Sequence, residues 1–358
     1  DFAGTIQDGA GTVGLTKTGT GVQVLSGANT YSGPTVVDGG VLKVTSLAAL
    51  PTNVTVNVGG AFDVNALSLR PRSFIIAGAG AAGQIGALVN TASGSEASVE
   101  NLTLASDATI GTSGSKLNVY GTIDGGGHTL TVAGPGETNI RINNSLTNLA
   151  GITVNTTGSG RLRLESSQAP ASPFAITVNS GAIVDSWADK TFGANLGLIL
   201  NGGSLQANGG TADFAAVWNG PVTVTGSAEV AANKHIRLQG AVSGTGSLTK
   251  IGLGTLTLSG ANTYGGGTNV NAGTLLVNNA SGSGTGNGAV VINSGATLGG
   301  TGAIGGAVTI HDGGWLSPGA SPGVLAMESL LLEAGSTTVM EIDGLLRGTE
   351  HDGIDIGA

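Results

Sequence analysis

The residues that could do chemistry are few. The densest acidic group is Glu341, Asp343, Glu350, Asp352 and Asp355. Carboxylates at close range can hold Ca²⁺, or can be the solvated end of an acidic protein. The second reading is preferred, because neither an EF-hand loop nor a Gly-Gly-x-Gly-x-Asp repeat is present. Arg161, Arg163 and Glu165 alternate with Leu162 and Leu164, which sets them on one outward strand face. They could touch an acidic glycan, but a solvated charge ladder is the plainer account. Lys234, His235 and Arg237 make a small basic spot of the same kind. His128, His235, His311 and His351 are scattered, none with metal-ligand spacing to another. His128 follows three glycines and is expected at a chain corner. Trp187, Trp218 and Trp315 are candidate platforms for sugar, although aromatics make up only 3% of the chain. No nucleophile motif or phosphate loop stands out. These groups predict no enzyme, no catalytic residue, no cofactor and no metal.

The elements that would position such residues are strands. Gly is 66 of 358 residues, Pro only 9, and apolar residues reach 40%. That combination excludes collagen and a disordered Gly/Ser chain, and fits many short strands joined by tight corners. Charged residues are 10%, the net charge is −9 and Lys plus Arg total 13. Nucleic acid or an anionic membrane as partner would need clustered positive charge. Cysteine is absent, so stability comes from stacking and not from disulfides. No apolar run is long enough for a transmembrane helix. The chain opens directly in strand text at Asp1, which reads as a processed piece of something longer.

Two stretches are nearly the same text. Residues 15–44 read LTKTGTGVQVLSGANTYSGPTVVDGGVLKV, and 248–277 read LTKIGLGTLTLSGANTYGGGTNVNAGTLLV. In Thr255-Leu256-Thr257-Leu258 apolar residues fall at every second position, and Thr274-Leu275-Leu276-Val277 repeats this with one extra Leu. Tyr31 and Tyr264 occupy matching positions, which favours packing over ligand stacking. Corners of the form Asn/Asp-x-Gly recur at intervals of about 20 residues, as at Gly40 and Gly60, Gly181 and Gly203, and Gly273, Gly295 and Gly314. This predicts an all-β fold, a right-handed parallel β-helix (solenoid) of about 20 residues per coil. Asn271 and Asn293, at equivalent corners, are expected to stack in a hydrogen-bonded ladder.

The two stretches resemble the passenger-associated transport repeat, the autotransporter-associated β-strand repeat of bacterial surface proteins. The residues that carry the resemblance are Leu15, Lys17, Gly27, Asn29, Tyr31 and Gly33, and again Leu248, Lys250, Gly260, Asn262, Tyr264 and Gly266. The first copy departs from the second at Pro34, where the second has Gly267. Leu316-Ser317-Pro318-Gly319-Ala320-Ser321-Pro322-Gly323 looks like the stretch that follows such repeats. The resemblance implies a β-helical passenger, extracellular, displayed on a bacterial cell surface or secreted, in which the repeat is structural. The expected organisation is one continuous β-helix over 1–358: a first autotransporter-type repeat in 1–60, connecting coils in 61–240, and the second repeat with C-terminal coils in 241–358.

These readings together predict an extracellular structural rod that stacks end to end, with copies of itself or with further coils of a longer parent chain. The alternative is an adhesin that binds glycan or protein along one face. A polysaccharide-active enzyme is the remaining reading.

Overall fold

The computed structural model describes residues 1–113, 115–135, 139–142, 145–187, 189–209, 215–319 and 322–357, with backbone alone at 139–142 and 215. Ala320 and Ser321 of the tail motif lie outside the described residues. The chain forms two compact units, Asp1–Ile176 with Gly181–Val184, and Thr177–Ser180 with Asp185–Ala358. The fold is an all-β parallel β-solenoid. A single short 3-10 turn, Leu47–Ala49, is the helix found among the described residues.

In the first unit, strands from successive turns lie in register. Leu15, Thr35, Val54, Phe74 and Leu102 face one another in order. Two residues further along the same strands, Lys17, Val37, Val56, Ile76 and Leu104 make a second column. On another side of the coil, Leu42, Phe62, Leu88, Ile110, Val132 and Val154 stack. The Phe62 and Phe74 rings, 5.3 Å apart and tilted, join the two walls across the interior. Val, Ile and Leu fill most of these positions because branched apolar side chains pack well on a pleated surface, and each column removes one strand face from water.

The second unit repeats the plan. Leu256, Leu275, Leu298 and Leu316 form one inward column. Val230, Lys250, Val270, Ile292 and Ile310 form another. Trp218 packs its ring 4.5 Å from Phe192 and donates its indole N–H to the Leu196 carbonyl at 2.9 Å. Turn length is less uniform than the expected 20 and averages roughly 22 residues. Val290 lies opposite Val308 in one short turn, whereas Val324 lies opposite Gly353 in a long one. Loops of different length are extruded at the corners, while the strands keep register apart from shifts between Leu104 and Ala108 and between Ile304 and Ala307.

Asparagine stacking at the corners is present where it was expected. Asn293 Nδ2 donates to Asn271 Oδ1 at 2.7 Å. Asn201 donates to Asn179, and Asn233 to Asn208, in the same way.

Candidate functional site

The repeat corners are the most constructed parts of the molecule. Asn29 is buried and joins three turns: its Oδ1 accepts from the Ile6 N–H at 2.8 Å, and its Nδ2 donates to the Ala49 carbonyl at 2.8 Å. Asn262 does the same, accepting from Val242 N–H at 2.7 Å and donating to the Gly284 carbonyl at 2.5 Å. Both amide groups of one short side chain are used, and a peptide group on each side is satisfied. Tyr31 and Tyr264 are buried, and their hydroxyls pair with the Thr35 and Thr268 hydroxyls at 2.7 and 2.6 Å. Burial pushes both phenols up from their ordinary pKa.

The glycines of the motif are there for close approach. A Cβ on Gly33 would stand 2.5 Å from the Val13 carbonyl oxygen, and one on Gly260 would stand 2.6 Å from that of Gly240. Gly27 and Gly266 press equally on the backbone of the preceding turn. Leu248 is fully buried. Leu15 is half-buried. Pro34 and Gly267 reach one end by different backbones: Gly267 takes φ +82, yet each carbonyl accepts the N–H of the leucine that opens its repeat. Sequence reasoning singled out the tyrosines and asparagines but missed their threonine and carbonyl partners. Only Thr35 and Thr268, four residues after each Tyr in both copies, left a readable signal.

The other candidate groups are dispersed. The acidic residues near the C-terminal end spend their oxygens on the chain itself. Asp352 is buried and accepts from Gly323 and Glu341 N–H groups at 2.9 and 2.8 Å. Glu350 accepts from Leu345 and Leu346, and Asp355 pairs with Arg347 at 2.7 Å. Among the described residues, no group of three or more His, Cys, Asp or Glu is arranged to hold a metal. Trp218 is a correction: it is buried, not a platform, because the cavity beside Phe192 takes its ring and the Leu196 carbonyl its N–H. Arg163 is also covered, not solvated, while Leu162 and Leu164 point inward as expected. His128 sits directly after the turn at Gly126–Gly127, with Nδ1 3.9 Å from Asp107. His311 pairs with Glu333 at 2.9 Å, and this contact lowers the Glu333 pKa. The His351 ring lies 3.2 Å from the Gly344 carbonyl.

Two outward surfaces stand out among the described residues. In the first unit a lateral groove of about 420 Å³ is lined by Ser32, Pro34, Thr52, Asn53, Ser73 and Ile75 among others. In the second unit a file of residues runs across successive strands: Thr255, Thr274, Thr297, Trp315 and Thr337. These alternate with the inward leucine column and so face solvent. Trp315 is 44% exposed, and Trp187 elsewhere is 43% exposed. The basic pair His235 and Arg237 lies on the neighbouring strand, which pairs with that of Thr255, with Ile236 and Leu238 buried between and beyond them.

The passenger-associated transport repeat family matches at residues 15–44 and 248–277. Over 293 residues, 75% of this chain, the sequence is 32% identical to the adhesin BmaC autotransporter of Brucella suis biovar 1 (strain 1330). The chain covers 7% of that protein's length. No solved structure matches.

Proposed function

We propose that this chain, a β-solenoid that carries the passenger-associated transport repeat twice and is similar over three quarters of its length to an autotransporter adhesin, is an extracellular, adhesive segment of a longer surface protein. Its coils act as a structural scaffold, and its outward faces make the contacts. The alignment with an autotransporter adhesin over 75% of the chain carries this reading. The outward file with Trp315 at 44% exposure supports it: hydroxyl rows beside an exposed indole suit a neutral glycan or a polar protein surface. The net charge of −9 disfavours polyanions. The scaffold role includes pairing of sheet edges with further coils, since an open edge strand offers unpaired amides to another strand.

The test uses beads coated with the chain on cultured cells. Wild type is expected to retain beads above an albumin-coated control. Trp315→Ala, an exposed substitution, is expected to cut retention while leaving the circular dichroism spectrum unchanged. Equal retention by the coated and control beads would overturn the adhesive reading. Retention unchanged by Trp315→Ala would move the contact to another face. Negative-stain microscopy across a concentration series tests the edge pairing, with end-joined particles expected to increase with concentration.

A further inference from the structure

Lys17 and Lys250 sit where an amine should be unwelcome. Each occupies an inward column, Lys17 opposite Val37, and Lys250 between Val230 and Val270. Lys250 is 0% exposed. A charged group in such a column is costly unless its hydrogen bonds are met.

They are met in the same way in both repeats. Lys17 Nζ donates to the carbonyls of Thr18, Gly19 and Gly39 at 2.7, 2.9 and 2.9 Å. Lys250 Nζ donates to those of Ile251, Gly252 and Ala272 at 3.1, 2.7 and 2.9 Å. The cages correspond position for position. Two carbonyls come from where the lysine's own strand ends and turns its corner, and the third from the matching corner one turn on. Four glycines shape these corners: Gly19 and Gly40 in one, Gly252 and Gly273 in the other, all at positive φ. A side chain at Gly40 would meet Lys17 Nζ at 2.8 Å. An ammonium has three N–H donors and no acceptor, so three converging carbonyls match it fully. Rings of backbone carbonyls are also what replaces the hydration shell of a monovalent cation in a filter.

We infer that each repeat corner is a cation-binding site, a three-carbonyl receptor for a primary ammonium whose resident ligand is the chain's own lysine. The lysine stem is the tether, and the ammonium is the bound ion. Its bonds to two successive corners tie one turn to the next just beyond the last backbone bonds of the ladder, Asp38 N–H to the Lys17 carbonyl and Asn271 N–H to that of Lys250. This role does not depend on what the outer faces bind.

Emptying the site and refilling it from solution tests the assignment. Lys250→Ala keeps Cβ and removes the atoms that make up a propylammonium ion. Thermal unfolding would be followed by circular dichroism at pH 7 during a titration with propylammonium chloride. Tetramethylammonium chloride, which has no N–H, and n-propanol, which has no charge, are the controls. The variant is expected to melt several degrees below wild type. Propylammonium is expected to restore much of that loss saturably, with no comparable effect on wild type and none from either control. A variant that melts with wild type would overturn the inference. So would a response to propylammonium shared by wild type or matched by n-propanol, since the lysine would then be only apolar filling. Should Lys250→Ala fail to fold, Lys17→Ala, whose cage lies at a half-exposed position, takes the same titration with the same outcomes.

Discussion

Asn262 satisfies one peptide N–H of the turn before it and one carbonyl of the turn after it. Replacing it with Ala leaves both buried groups unpaired, at about 1–3 kcal/mol each. Asn262→Ala is therefore expected to lower the urea midpoint with little change in slope, and Asn262→Asp to recover only the accepted bond. Lys250 adds a pH dependence. Burial lowers its pKa from 10.5 to about 8, so at neutral pH the ammonium still predominates. Between about 8 and 10.5 the folded chain has released a proton that the unfolded chain keeps. Stability from this group therefore rises with pH through that window and is flat below it. Lys250→Met is expected to remove this rise in unfolding experiments from pH 7 to 10.5, whereas an unchanged slope would assign it to another group. The inward direction of Lys17 and Lys250 was legible, because each lies in phase with a leucine two residues earlier. Its purpose was not, because the carbonyls that receive it come from corners whose backbone no residue letter spells out.

Strands read well from this sequence because alternation alone decides which face is buried. Leu275 and Leu276 make the sharpest case. The extra leucine breaks the alternating pattern, yet Leu275 lies in the inward column beside Leu256 and Leu298, and Leu276 stays half-exposed. Leu275→Asp would bury an unpaired carboxylate, and a loss of about 3–5 kcal/mol or outright failure to fold is expected. Leu276→Asp, one residue away, is expected within about 1 kcal/mol of wild type. Equal damage from both would mean that the register of this strand has been misplaced by one residue. What alternation could not supply is direction for isolated large residues and the length of each turn. Trp218 was expected as an outward platform and Arg163 on an outward charge ladder, and both are covered. Trp218 went inward because Phe192 and the Leu196 carbonyl were there to receive it, a matter of distant partners. Turn length drifted from the expected value because corner loops insert residues without disturbing the strands on either side.

Taken as a whole, the chain is weakly charged and net negative. Its net charge is −9 at pH 7 and its pI is about 4.8. With charged residues at only 10%, much of the outer surface is Thr, Ser, Asn and Gly, and mutual repulsion rests on a small excess of carboxylates. Lowering the pH toward 4.8 removes that excess while leaving the backbone pairing of the solenoid untouched. Light scattering at fixed concentration is therefore expected to show a reversible rise in mass between pH 7 and pH 4.8, and a fall again below it. Salt provides an internal control. At pH 7, screening shortens the range of repulsion from about 10 Å at 0.1 M to about 3 Å at 1 M, so added salt should promote association there. Near pH 4.8 the same salt should have little effect, because no net repulsion is left to screen. A mass that stays constant through the whole titration would show that the hydroxyl faces themselves resist contact. Adhesion through them would then require a partner of different chemistry, not a second copy.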